Sequence, residues 1–276
     1  MRLALAQLDS TLGDVGANEA RVRDALAAAR AGGADLVVFP ELFLSGYALA
    51  ATTADTAREP EQVATLAAPG PAALIGLHEP GYSSAAYVDG GAVVHVQRKL
   101  CLVAYPPFDE DARLGPGETL RAFDTPLGRM AVLICNDAWQ PALPVVAVND
   151  GARVLLVPSC SATAFPDVES YWRDLTRFYA RMLQTYVVFV NRVGEEAGFT
   201  FWGGSHVVDP RGQVVAEAPR FAEAILFADL DVSLVDDERR RLPLLGDPRL
   251  ELLRSELGRI DAARGAGRVA LREARW

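Results

Sequence analysis

Short apolar runs alternating with helical segments recur along this chain of 276 residues, and that recurrence limits its architecture more than any other feature. Residues 2–7, 35–39, 73–77, 85–89, 92–97, 130–134, 153–157 and 186–191 each read as a strand. Residues 85–89 and 92–97 are joined across Gly90 at hairpin spacing. Further strands are expected at 205–209 and 213–216, on either side of a turn marked by Pro210 and Gly212, and at 224–229. Helical spacing predicts a helix over 18–30, with its alanines, Val22 and Leu26 facing inward. A weaker helix is expected over 60–67, one after Trp139, a long one over 168–183 and one near 249–259. Strands and helices mixed in this way predict a layered α/β architecture, and no break in the pattern marks a second core. The expectation is one domain over residues 1–276, with the charged residues 230–276 as a peripheral C-terminal arm.

Half of the residues are hydrophobic and 23% are charged, so a disordered chain is excluded. The net charge of −9 argues against nucleic acid, whose phosphates are bound mostly by Lys and Arg. No uncharged apolar stretch is long enough to span a bilayer, and the run from Leu3 to Leu8 is interrupted by Gln7, so neither membrane span nor signal peptide is expected. Three cysteines do not make a disulfide framework, which points to a reducing, cytoplasmic setting. The partner left by these exclusions is a small molecule.

Of the 27 cationic side chains, 26 are arginines and one is a lysine, Lys99. In a chain that writes surface cations as Arg, the lone Lys needs its own reason. An ammonium is a compact point charge that fits where a planar guanidinium fork does not, as beside a buried oxyanion. Lys99 follows a strand-like run, as do Glu41 after VVFP and Cys135 after MAVLI. Open α/β sheets bind ligands at such strand ends. A carboxylate, a cation and a thiol are complementary parts of a nucleophilic acyl-transfer site. A thiol of pKa about 8.5 is mostly protonated at neutral pH, so a carboxylate must accept its proton while a cation favours the thiolate. Singly, Cys135 reads as a small buried hydrophobe and Glu41 as a cap or surface residue. Their conjunction with Lys99 carries the functional reading.

Six ordered segments resemble the nitrilase superfamily, the carbon-nitrogen hydrolases with a Glu-Lys-Cys triad: FPELFLSGY, RKLCL, PFDEDARLGPGE, LICNDAW, NRVG at 191–194 and GGSHVVDPRG at 203–212. The resemblance runs from residue 2 to about residue 260. It implies Cys135 as nucleophile, Glu41 as general base and then acid, Lys99 as oxyanion stabiliser and the backbone N–H of Asn136 as a second oxyanion donor. Glu110 is implied as a second carboxylate that positions substrate or orders Lys99. The implied fold is a four-layer αββα sandwich, and the implied assembly a homodimer or higher homo-oligomer built through outer helices and C-terminal arms.

Near these segments, Tyr105 and Trp139 are the first candidates for pocket walls, and Cys160, after VLLVPS, is a further one. Tyr47, Phe108, Phe165, Trp172, Phe201 and Trp202 also lie close by. Cys101, two residues past Lys99, would share its face if the strand continued. His78, His95 and His206 are scattered without metal-site spacing, and no glycine-rich phosphate loop is present, so neither metal nor cofactor is expected. Asn136-Asp137 follows the cysteine where many nitrilases have Trp-Glu, which favours an amidase. CNDAW and YPPFDE resemble the glutaminase domains of NAD synthetases, which implies a primary carboxamide and ammonia release. The alternatives are a nitrilase, an N-carbamoyl amine amidohydrolase, or a non-catalytic binding or assembly member.

Overall fold

A computed structural model describes residues 1–68 and 70–265, with side chains through residue 263. The chain forms two compact units that divide between Leu242 and Pro243. In the first unit, β1 (Arg2–Gln7) leads to α1 (Val15–Ala31), β2 (Leu36–Val38), α2 (Pro60–Ala64), β3 (Ala72–Glu79), β4 (Tyr82–Asp89) and β5 (Ala92–Arg98). After a long loop come β6 (Phe123–Thr125), β7 (Gly128–Val132), α3 (Ala142–Asn149), β8 (Val154–Ser159), α4 (Val168–Met182) and β9 (Tyr186–Asn191). A hairpin of β10 (Val193–Glu196) and β11 (Phe199–Trp202) precedes β12 (His206–Val208), β13 (Val214–Glu217), β14 (Ala224–Asp229) and α5 (Ser233–Arg241).

Two six-stranded sheets result, in the orders β14-β1-β2-β3-β4-β5 and β13-β12-β9-β8-β7-β6. The central strands β1-β2-β3 and β7-β8-β9 run parallel, with Val38 opposite Leu74 and Leu156 opposite Val188. Strands buried on both faces are near-continuously apolar, which is why β8 and β9 are buried throughout. Alternation sorts the side chains between two cores. Leu3, Leu5, Leu36, Val38 and Leu74 pack with Val132, Ile134, Leu156 and Val188 of the other sheet. Ala4, Ala6, Val37, Phe39 and Ile75 face outward onto Val22, Ala25, Leu26 and Ala29 of α1. On the far side α4 covers the second sheet, with Trp172 against Phe189 at 4.5 Å between ring centroids and Thr176 Oγ1 bonded to His206 Nε2 at 2.9 Å. The order is helix, sheet, sheet, helix: the αββα sandwich.

Several elements depart from the sequence reading. The short β6, the β10–β11 hairpin and α5 carry no clean apolar period; α5 buries only Val235 and Glu238. Residues 230–242, expected in a peripheral arm, belong to the first unit because Leu230 and Val235 are buried in the inter-sheet core. In the second unit, α6 (Leu250–Gly265) is longer than the segment foreseen. The end of the expected arm, residues 266–276, lies outside the described residues.

Candidate active site

Glu41, Lys99 and Cys135 lie just past the C-terminal ends of β2, β5 and β7, and the packing of the two sheets brings them together. Lys99 is fully buried, and its Nζ donates to Glu41 Oε1 and to Glu110 Oε1, each at 2.7 Å. Its backbone is held on both sides, by the carbonyl of Ser83 at 2.8 Å and the N–H of Gly117 at 2.7 Å. An ammonium has three protons, and two are committed to carboxylates. Glu110, in the loop after β5, is fixed by the N–H of Val103 at 2.9 Å and the phenol of Tyr47 at 2.7 Å.

Glu41 is placed by close passage of its backbone over β3. A Cβ on Gly76 would stand 2.1 Å from the carbonyl oxygen of Pro40 and 2.9 Å from the carbonyl carbon of Glu41, so only glycine lets the two segments meet. The second oxygen of Glu41 accepts the N–H of Cys160 at 3.1 Å. Burial raises the Glu41 carboxyl above its ordinary pKa; Lys99 opposes the rise and Glu110 adds to it. Burial would depress the Lys99 ammonium, but the two carboxylates outweigh it and hold the pKa well above the usual lysine value.

Cys135 opens a 3₁₀ turn, Cys135–Trp139, with φ of 46°, in the sparsely populated left-handed region where functional residues concentrate. Burial pushes its thiol pKa up, the Glu41 charge adds to the rise, and Lys99 and a hydrogen bond from the Cys160 backbone oppose it. The surroundings therefore favour the thiol form of Cys135 over the thiolate. Asp137, two residues on, is a positioning residue that the sequence reading did not single out. Its buried carboxylate accepts the N–H groups of Leu100 at 2.9 Å, Cys101 at 2.8 Å and Ile134 at 3.0 Å. It thus ties the segment after Lys99 to the turn bearing Cys135. Burial raises Asp137 to about 7 against those donors. The Asn136 side chain adds a second tie, Nδ2 to the carbonyl of Cys101 at 3.1 Å.

Cys135 borders a cavity of about 40 Å³ whose wall includes Tyr105, Trp139 and Cys160, the three wall candidates foreseen, together with Tyr47, Phe108 and Phe165. Trp172 also contributes, whereas Phe201 and Trp202 are fully buried and are not part of that wall. Cys101 does not share the face of Lys99, because β5 ends at Arg98 and the chain bends. The three histidines stand apart: His78 bonds Thr56, His95 stacks on Phe123 and His206 bonds Thr176. Among the described residues, no group of His, Cys, Asp and Glu is arranged to hold a metal ion.

A family model described as carbon-nitrogen hydrolase matches residues 2–240. The chain belongs to this family, within the nitrilase superfamily. It is 34% identical over 257 residues to a glutamine-dependent NAD(+) synthetase from Thermotoga maritima, covering 87% of this chain and 45% of the synthetase. The chain spans about half the length of the curated relatives it matches. Among solved structures, Nit3 of Saccharomyces cerevisiae, a member of branch 10 of the nitrilase superfamily, superposes with a TM-score of 0.78 at 28% identity over 88% of this chain and 94% of that one. A mutant of the amidase from Nesterenkonia sp. AN1, with the acetamide moiety of fluoroacetamide added covalently at its active-site cysteine, also gives 0.78 at 28% identity, over 92% of this chain and 96% of that one.

Proposed function

We propose that this protein is a cysteine-dependent amidase that releases ammonia from a small primary carboxamide through a thioester. The observation that carries the reading is the single lysine of the chain, buried between two carboxylates at 2.7 Å, with one ammonium proton uncommitted among the described residues and Cys135 beside it on the cavity wall. Cys135 Sγ attacks the amide carbon while Glu41 takes the thiol proton, and the carbonyl π pair moves to oxygen. The third proton of Lys99 and the backbone N–H of Asn136 receive that negative charge. Glu41 then returns the proton to nitrogen, the C–N bond breaks, and ammonia leaves. Water attacks the thioester while Glu41 takes its proton; the C–S bond then breaks and Glu41 returns that proton to sulfur, which leaves the carboxylic acid and the free thiol. Glu110, locked by Tyr47 and Val103, holds the ammonium in place at 2.7 Å. The Nesterenkonia amidase, with an acetamide group on its cysteine, supports this assignment of the sulfur.

A second reading, hydrolysis of glutamine to supply ammonia, is favoured by the match to glutamine-dependent NAD(+) synthetases over most of this chain. Ammonia assays on simple carboxamides, glutamine, nitriles and N-carbamoyl amines separate the cases. Release from carboxamides is expected; release from nitriles alone would overturn the amidase reading. Iodoacetamide is expected to label Cys135 faster than Cys101 and Cys160, and equal slow labelling of all three would point to a non-catalytic member. We propose further that the protein works in the cytoplasm as a homodimer or higher homo-oligomer. The exposed residues Leu250, Leu253, Leu257 and Ile260 of α6, at helical spacing, make a stripe suited to burial by another copy.

A further inference from the structure

Ser161 lies two residues past β8, with its backbone clamped by Asn191. Its N–H donates to Asn191 Oδ1 at 2.8 Å, and its carbonyl accepts from Asn191 Nδ2 at 3.1 Å. Its hydroxyl oxygen accepts two indole N–H groups, from Trp172 at 2.8 Å and from Trp202 at 3.1 Å. Both tryptophans are buried, so these donors are fixed in place. A serine hydroxyl has two acceptor lone pairs and one proton. With both lone pairs occupied, Ser161 Oγ acts only as a donor, and its proton is confined to the remaining tetrahedral direction. Among the described residues Ser161 donates no side-chain hydrogen bond. Ser161 borders the cavity that Cys135 opens into, beside the apolar surfaces of Val103, Phe108, Ala162 and Phe165. A donor in such surroundings costs free energy until an acceptor meets it.

Resting on the amidase reading above, we propose that Ser161 is a specificity determinant: its hydroxyl recognises a neutral acceptor oxygen, whether ether, hydroxyl or carbonyl, on the acyl arm of the carboxamide. One hydroxyl among aromatic walls does not offset the desolvation of a charged acyl arm, which is why the acceptor is neutral. The site then takes small oxygenated amides in preference to their hydrocarbon isosteres.

Two isosteric pairs test this by ammonia release: lactamide against isobutyramide, and methoxyacetamide against butyramide. In the native enzyme the oxygenated member of at least one pair is expected to have the higher kcat/KM, by about three- to tenfold, the range of one neutral hydrogen bond. Ser161→Ala is expected to bring that ratio close to one, while Ser161→Thr keeps it. Loss of the indole acceptor in Ser161→Ala also weakens packing, but that loss lowers both members of a pair alike and leaves their ratio untouched. The native ratios stand as a test by themselves if Ser161→Ala does not fold. Equal kcat/KM within both pairs, or a preference that survives Ser161→Ala, would overturn the role of Ser161 and leave the amidase reading intact. Ammonia from none of the four amides would remove the amidase reading, and the role of Ser161 with it.

Discussion

Two buried cations in this molecule each sit between a pair of carboxylates, yet they do different work. Arg192 donates to Asp9 Oδ1 at 2.8 Å, to Glu196 Oε2 at 2.7 Å and to the carbonyl of Ser10 at 2.6 Å, and lies 4.6 Å over the ring of Phe201. Its planar fork is engaged along its edges and on a face. Lys99 makes two contacts of 2.7 Å, and its third proton has no acceptor among the described residues. The guanidinium closes a frame, and the ammonium leaves one direction open, which is the difference expected between a rigid fork and a point charge. The two clusters are linked. Glu196 Oε1 accepts the N–H groups of Tyr47 and Ala48 at 2.8 and 2.6 Å, and the phenol of Tyr47 reaches Glu110.

Exchanging the cations tests the comparison most sharply. Lys99→Arg keeps the charge but cannot fit a fork between Glu41 and Glu110; kcat is expected to fall at least about 10²–10³-fold, the scale of one lost oxyanion donor, with the folded state retained by circular dichroism. Near-native turnover would remove Lys99 from the chemistry. The reverse exchange, Arg192→Lys, is expected to cost about 2–3 kcal/mol in denaturant unfolding, because charged hydrogen bonds to Asp9, Glu196 and Ser10 cannot all be remade by one ammonium. A stability unchanged by that swap would make the two sites equivalent. Tyr47→Phe cuts the link between the clusters. A loss of about tenfold in kcat, from one buried hydrogen bond to Glu110, is expected with little change in unfolding; an equal loss in both readouts would make Tyr47 a packing residue. The mildest effect is on pH dependence. In the proposed mechanism Glu41 must be ionised to take the thiol proton, and burial raises its pKa, so kcat/KM is expected to fall as pH drops through a midpoint above the ordinary carboxylate value of about 4.3. A midpoint at or below that value would mean that another group takes the proton.

The open cluster was legible in the sequence and the closed one was not, for physical reasons. Lys99 stood out as the sole lysine, and Glu41 and Cys135 as polar residues ending apolar runs, a position that sheet geometry turns into one crevice. Arg192 is one of 26 arginines, and its partner Asp9 is 183 residues away in the chain. No local period signals such a contact. Asp137 was hidden in the same way, since its donors at Leu100 and Cys101 arrive from another loop. Ser161 gains its meaning only from two tryptophans, 11 and 41 residues further along. The apolar strands and the amphipathic α1 and α4 followed their periods, whereas α5, with the charged run from Asp236 to Arg241, buries too little for its period to be read.

The passage of the Glu41 backbone over Gly76 makes an uneven demand on heredity. Saturation mutagenesis at position 76 should return one amino acid among active clones, since even a methyl group would meet main-chain atoms rather than a yielding side chain. The same experiment at Tyr105, half open to solvent on the cavity rim, should return many. Drift in this lineage can therefore retune the proposed amide preference at the rim long before it can relocate the proposed base.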